Sequence, residues 1–378
     1  MKFIPLLSLL FVSYRAVNAY SNCQGCRVIL EENGVKWGVE NNDWCIVSSS
    51  CNKNDPENQC FSFPEYMCCK GCDVVEDDGE TTKWGIENNE WCGLKESCYK
   101  ETTKPYNYNP AIQFKEAPGN YLQRCQQAGK IVKESYNGIN GRNSLNVYLP
   151  YGYDEKKQYN IFYLMHGGSE NENTIFNNEV QLNNILDNMI MKGELEPLIV
   201  VTPTFNRCEC RTFYKEFRES VIPFVEGKYS TYAKSTSAAD IKASRMHRGF
   251  GGFSMGSAST WAVFINCLDI CAYYMPLSGE NWEADGAYMK AKTVADAVDK
   301  LGLKKNQYFI FCATGSEDIA YPNMNPMMNE MKKMSQFVYT SDFSKGNFYY
   351  LVANGKTHWW GYVRHYIYDA LPSFFHEV

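Results

Sequence analysis

Histidine is scarce in this chain: five occur in 378 residues, and none precedes His166. That scarcity argues against a histidine-ligated metal site in the first 165 residues and leaves few candidates for a general base elsewhere. Positive charge is short as well. Lys and Arg total 37 against 43 Asp and Glu, for a net charge of −6 and a pI of about 5.6. No basic run offsets this balance, so neither nucleic acid nor an anionic membrane finds an electrostatic footprint. Long apolar runs are missing too. The best, residues 3–12, is too short to span a bilayer. No N-x-Ser/Thr triplet occurs, so N-linked glycosylation is not expected.

The short apolar run follows Lys2 and leads to Val17-Asn18-Ala19, small residues suited to signal peptidase. Residues 1–19 therefore read as a secretory signal cut after Ala19, and the mature protein as soluble and secreted. Cysteine use agrees. Of sixteen cysteines, ten lie between Cys23 and Cys98, which marks that segment as a disulfide scaffold for an oxidising compartment.

The same segment is a tandem repeat. Cys23-Gln24-Gly25-Cys26 matches Cys69-Lys70-Gly71-Cys72, and Lys36-Trp37-Gly38-Val39-Glu40-Asn41-Asn42-Asp43-Trp44-Cys45 matches Lys83-Trp84-Gly85-Ile86-Glu87-Asn88-Asn89-Glu90-Trp91-Cys92. Each copy closes with one more cysteine, Cys51 and Cys98. Modules of this size, 20–54 and 58–98, cannot bury an adequate apolar core, so disulfides must supply about 2–4 kcal/mol each. Copy two has six cysteines; copy one has four, lacking counterparts of Cys60 and Cys68, and carries Ile46 where copy two has Gly93. Zinc held by the C-x-x-C pairs is the rival reading, disfavoured by the missing histidines. Trp37, Trp44, Trp84 and Trp91 are too many for such small cores, so some should lie on the surface as partner anchors; the simpler alternative is that they cover the disulfides.

The pattern C-x-x-C followed by W-G-V/I-E-N-N-x-W-C resembles the small cysteine-rich dockerin modules of anaerobic fungal cellulosome enzymes, which are related to family-10 carbohydrate-binding modules. The resemblance implies docking to a scaffold protein through these tryptophans, with cellulose binding as the alternative.

After a Thr-, Lys-, Pro-, Tyr- and Asn-rich linker, 99–109, the chain alternates apolar strand candidates with helical stretches over 110–378, an α/β pattern. Strands are expected at 144–149, 160–165, 198–202, 246–253, 272–277, 307–314 and 347–353, and helices at 181–191, 213–228, 255–266 and 365–375. Between the fourth strand and third helix stands Gly252-Phe253-Ser254-Met255-Gly256, a G-x-S-x-G pentapeptide in the strand–turn–helix setting of a nucleophile elbow. The glycines make room for a tight turn that lifts the Ser254 hydroxyl clear, and the helix N-terminus offers the Met255 N–H to an oxyanion.

A serine nucleophile needs a base and an orienting carboxylate, and in this fold class both follow the serine. His358, His365 and His376 follow it; His358 alone sits in a loop directly after an expected strand. For the acid, Glu317 and Asp318 both follow the strand 307–314, and spacing does not separate them. His166-Gly167-Gly168-Ser169 after the strand 160–165 is an HGG-type loop whose Gly167 or Gly168 N–H could complete the oxyanion hole, with His166 orienting the loop. Trp282, Tyr321, Trp359 and Trp360 lie near the site in sequence and are candidates for the wall of an aromatic acyl pocket, against the alternative that each is core. The six later cysteines should be buried thiols or form one or two disulfides.

The stretches Tyr163–Gly168, Pro197–Thr204, Gly249–Gly256, Ala313–Tyr321 and Thr340 onward through His358-Trp359-Trp360-Gly361 resemble carbohydrate esterase family 1, and within it the bacterial cellulosomal feruloyl esterases. That resemblance implies an α/β-hydrolase catalytic domain preceded by two small disulfide-rich, β-containing modules. It implies Ser254 as nucleophile, His358 as base and Asp318 as acid; the Met255 and Gly168 N–H groups are then expected to hold the oxyanion, and no His/Asp ligand cluster argues for a metal or cofactor. It implies feruloylated plant cell-wall arabinoxylan as substrate. An acetyl xylan esterase of the same fold and a non-catalytic carbohydrate-binding protein are the alternatives. The chain departs from its relatives at Ser257-Ala258, where Gly-Gly is usual, a change expected to affect helix packing.

Overall fold

A computed structural model of the chain describes residues 20–40, 43–49, 51, 60–71, 75–77, 82–95, 98 and 112–376. The expected signal and linker lie outside the described residues. The chain divides into two compact units, 1–103 and 104–378, taken here one at a time.

In the first unit the repeat in sequence is a repeat in structure. Strands β1 (Leu30–Glu32), β2 (Val35–Glu40) and β3 (Asp43–Ile46) form one antiparallel sheet, and β4 (Glu76–Asp77), β5 (Lys83–Glu87) and β6 (Glu90–Gly93) form another. Each repeated residue has a local reason. Asn88 and Asn89 both take positive φ, 53° and 64°, as a two-residue hairpin turn requires, and asparagine tolerates that region best after glycine. The motif glutamate caps the C-x-x-C turn. Glu40 accepts the Gln24 and Gly25 N–H groups at 2.8 and 2.6 Å, and Glu87 accepts those of Lys70 and Gly71 at 2.9 and 2.7 Å. These backbone bonds hold the Glu87 carboxyl below its usual range. A Cβ on Gly38 would meet Cys23 Sγ at 2.8 Å, which explains the glycine after the first tryptophan.

Disulfides Cys23–Cys45 and Cys69–Cys92 occupy equivalent places; Cys26–Cys51 and Cys60–Cys68 are further bonds. The Gly93/Ile46 difference follows from the extra bridge in copy two. Its loop brings Ser62 against Gly93, where any Cβ would collide with the Ser62 side chain. Copy one lacks that loop and keeps an isoleucine.

The second unit is built on an eight-stranded mixed sheet: β7 (Lys130–Gly138), β8 (Gly141–Leu149), β9 (Asn160–Met165), β10 (Leu198–Thr202), β11 (Arg248–Phe253), β12 (Tyr273–Leu277), β13 (Phe309–Gly315) and β14 (Phe348–Ala353). Their spatial order is β14-β13-β12-β11-β9-β10-β8-β7. Pairing is parallel from β14 to β10, and β8 runs antiparallel to both β10 and β7. This is the α/β-hydrolase class that the sequence resemblance implied. Strands β9 to β13 are buried along their whole length because helices cover both faces. Alternation divides the core: Ile161, Tyr163 and Met165 join one apolar layer, Phe162 and Leu164 the other. Among the described residues no helix is long and apolar enough to cross a membrane.

Several boundaries differ from expectation. Strand β7 was not anticipated. It is the sheet edge, where Lys130, Lys133 and Glu134 interrupt the apolar pattern as solvent-facing edges require. The elbow strand starts at Arg248 because Arg245–His247 is a 3-10 turn. Helices Ala287–Leu301 and Tyr321–Met331 were also missed, the second because Pro322 and Pro326 read as breakers. The last helix is Trp360–Ala370, five residues earlier than expected, and a short 3-10 turn containing Pro372 follows it.

At the root of the elbow strand lies a buried ion pair. Arg248 and Glu226 side chains are each 1% exposed and joined through both carboxylate oxygens. The guanidinium also donates to the Ile241 and Ile270 carbonyls and to Ser244, so its donors are spent on fixed acceptors. Tyr163 and Thr231 donate to the same carboxylate. Glu226→Ala would leave this arginine buried without its counter-charge, and a loss of about 3–5 kcal/mol is expected. Chemical denaturation of the full chain checks this; an unchanged midpoint would refute it.

Candidate active site

The turn after β11 carries the most constrained backbone near the sheet. Ser254 sits at φ 58° and ψ −116° at the N-cap of the helix Met255–Cys267, and its N–H donates a hydrogen bond to the Leu277 carbonyl at 3.0 Å. A non-glycine residue held there costs about 1–3 kcal/mol, which the surroundings must impose. The glycines show how. A Cβ on Gly252 would collide with the Gly256 backbone, and one on Gly256 would lie 2.5 Å from the Met165 and His166 carbonyls. Two glycines thus let the turn close on itself and against the end of β9. Ser257 is fully buried and donates to the Gly279 carbonyl at 2.7 Å, so its hydroxyl ties the helix to the loop after β12.

Asp318 and His358 are brought together from loops after β13 and β14. His358 Nδ1 lies 2.7 Å from Asp318 Oδ1, which also accepts the Ala320 N–H at 2.8 Å. A carboxylate only accepts, so Nδ1 carries the hydrogen and Nε2 keeps its lone pair. Asp318 is buried, which pushes its pKa up, but bonds from His358 and Ala320 outweigh burial and hold it below the usual range. Glu317 is exposed, and its backbone instead donates to the Lys356 carbonyl. Geometry therefore separates two carboxylates that spacing did not. The His358 ring packs on Phe253, the residue before Ser254, at 4.4 Å between centroids.

The HGG loop closes the other side. Gly168 stands against Met255, whose Sδ would be 2.7 Å from a Cβ there. The Gly167 N–H is committed to Glu170 Oε2 at 2.7 Å, which leaves Gly168 as the loop's open glycine amide. Glu170 accepts the Trp360 indole N–H as well, at 2.9 Å, and Trp360 packs on Phe253 at 4.9 Å. His166 is fully buried. Its Nδ1 faces the Gly167 carbonyl at 2.7 Å and must donate, so Nε2 accepts from the Thr204 hydroxyl at 2.7 Å. Burial lowers its pKa and keeps it neutral; it orients the loop.

The remaining residues singled out from sequence are dispersed. Trp359 (48% exposed) and Trp282 (39%) reach solvent, Tyr321 is half-buried at the start of its helix, and Trp360 is buried as the strut just described. Trp44 and Trp91 are exposed opposite Val39 and Ile86, while Trp37 and Trp84 are half-buried against Tyr20 and against Phe61 and Tyr66. The six later cysteines are free thiols, all held above the usual range chiefly by burial. Cys23-Glu40-Cys45 and Cys69-Glu87-Cys92 gather potential metal ligands, but their sulfurs are spent in disulfides. Sequence reasoning missed Glu170 and Thr204. Glu170 was visible three residues after Gly167, but its partner Trp360 is 190 positions away.

A family model described as "Putative esterase" matches residues 137–374, and one described as "Cellulose or protein binding domain" matches 15–47 and 59–94. Endo-1,4-beta-xylanase Y of Acetivibrio thermocellus is 66% identical over 274 residues, 72% of this chain and 25% of that protein. Endoglucanase B of Neocallimastix patriciarum is 40% identical over 57 residues, 15% of this chain and 12% of that protein. The chain thus spans a quarter or less of these curated relatives. The solved feruloyl esterase module from Clostridium thermocellum, complexed with sinapinate, shares 66% identity with a TM-score of 0.71, over 72% of this chain and 97% of that one. The chain belongs to this esterase family, in keeping with its resemblance to carbohydrate esterase family 1.

Two outcomes follow from the geometry. Glu170→Ala frees both Gly167 and Trp360 and should lower esterase kcat by about tenfold, the worth of one charge-assisted bond; steady-state kinetics with full activity would contradict the strut. His166 is held low, and His247 and His365 are pushed down to about 4, mainly by burial. At these three histidines the folded chain binds fewer protons than the unfolded one, so the stability they contribute above about pH 6.5 is lost as pH falls towards 4; Asp369, pushed up to about 8 by burial, works in the opposite sense, and the histidines outnumber it. Thermal midpoints at pH 7 and 4.5 test this, and equal values would refute it.

Proposed function

We propose that this esterase hydrolyses hydroxycinnamoyl esters, ferulate foremost, on arabinoxylan, through an acyl-enzyme at Ser254. The observation that carries the reading is 66% identity, across 97% of its length, to a feruloyl esterase module bound to sinapinate. The His358–Asp318 pair beside the strained Ser254 supports it.

Ser254 Oγ attacks the ester carbonyl while His358 Nε2 takes its proton. Asp318 holds the Nδ1–H tautomer and stabilises the imidazolium that forms. The N–H groups of Met255 and Gly168 receive the oxyanion; the first is a helix-terminal amide without an intrahelical partner. His358 then returns the proton to the departing sugar oxygen, the C–O bond breaks, and the sugar leaves. Water, deprotonated by His358, attacks the acyl-enzyme and frees the acid and Ser254. Trp359 and Trp282 are the exposed aromatics available to flank a phenolic acyl group. The two N-terminal modules dock a scaffold protein through Trp44 and Trp91, and the protein works outside the cell, where its disulfides persist.

Product analysis on wheat bran and on methyl hydroxycinnamates tests the reading. Ferulate release is expected; acetate release alone would reject it in favour of an acetyl esterase. Ser254→Ala should cut kcat by about 10⁵-fold or more, and Asp318→Asn by about 10⁴-fold. Wild-type rates in either variant would remove that residue from the mechanism.

A further inference from the structure

Next to the residues that brace the HGG loop, the surface opens into a hollow of about 280 Å³. Arg142 and Asn143 of β8, Glu172 in the loop after β9, and Thr204, Asn206 and Arg207 after β10 line it. Two serines complete a lining without one apolar side chain. An aromatic acyl group would gain nothing by entering, whereas a hydroxyl-rich ligand would find donors and acceptors throughout.

The hollow shares its framework with the site. Thr204 is the residue that bonds His166, and the Asn206 amide donates to the Glu170 carbonyl at 2.8 Å. Asn143 donates to the Thr204 carbonyl and Asn140 to that of Arg207, which stitches the β7–β8 hairpin to the loop after β10. The cavity is therefore built from ordered parts that are hydrogen-bonded to the HGG loop and to Glu170.

Its charge is specific. Glu172, 8% exposed, is already met by Lys133 at 3.0 Å and by the Ser144 hydroxyl at 2.7 Å. The floor carboxylate is thus neutralised locally. Arg142 and Arg207 remain on the rim, and among the described residues neither is paired with a carboxylate. Two unpaired guanidinium groups over a polar hollow, in a chain of net charge −6, fit a carboxylate that also carries hydroxyls.

We infer that this hollow is a glycan subsite for a uronic-acid residue, so that the enzyme prefers hydroxycinnamoyl esters on acidic, uronate-bearing xylan chains. This rests on the esterase reading above and extends it to the sugar side. The test uses the full chain and a pair of feruloylated xylo-oligosaccharides that differ only in one uronic-acid substituent. Wild-type kcat/KM is expected to be about tenfold higher on the acidic member, as one good charge-assisted pair supplies. Raising salt should shrink the ratio. Arg142→Gln with Arg207→Gln should bring it near one; both positions are exposed, so the fold should tolerate the changes. A wild-type ratio of one, or a ratio that survives the double substitution, overturns the inference. Wild-type hydrolysis of methyl ferulate separates the two readings: no turnover would sink the esterase proposal itself, whereas turnover with a ratio of one sinks the subsite alone.

Discussion

The turn at Ser254 sets the terms for the rest of the catalytic unit. Holding Ser254 at positive φ in this turn depends on glycine two positions to either side, Gly252 and Gly256, and on the end of β9 pressing on the helix start. It also requires a rigid strand leading in. The buried Arg248–Glu226 pair anchors that strand where it begins, six residues before the serine. A cheaper core could have been built from apolar residues, since ion pairs of this kind rarely add net stability. What the pair adds is fixed geometry: five acceptors around one guanidinium permit few alternatives.

From that turn outward, the site is assembled by loops that hold each other. Glu170 joins the HGG loop to the helix that follows His358, and Phe253 lies under both His358 and Trp360. The loops bearing Asp318 and His358 are stitched by backbone bonds from Ser316 to Ala353 and from Glu317 to Lys356. Gly315 has no Cβ because the Lys356 carbonyl occupies that place. The geometry of Asp318 and His358 is therefore a property of the sheet end and not of either loop alone. The uronate hollow proposed for the glycan would extend the same framework by one more strand.

Much of this was legible before any coordinate. The central strands read clearly because a parallel sheet covered on both faces gives unbroken apolar runs such as Asn160–Met165 and Leu198–Thr202. The edge strand Lys130–Gly138 did not, since charges that protect an edge also erase its pattern. The helix Tyr321–Met331 was hidden by two prolines, at 322 and 326. In the modules, the glutamate of the W-G-V/I-E-N-N motif was visible as a repeat, but its work as a cap on the C-x-x-C turn was not. That work depends on contacts 15 to 17 residues apart.

The sequence by itself determined the G-x-S-x-G turn, the order of serine, acid and base, the tandem cysteine repeats and the esterase class. Those features are local, or obey a chain order that any fold of this type must respect. Residue spacing left Glu317 and Asp318, and Gly167 and Gly168, side by side, and only the tertiary structure shows which of each pair is engaged elsewhere and which cysteines are bridged or free. It also turned Trp360 from a candidate pocket wall into a strut. Each of those choices hangs on which of two adjacent groups faces inward, and that is set by partners tens to hundreds of residues away. Ser254 was conspicuous from the start; the strain that exposes it became visible only where the end of β9 meets two glycines.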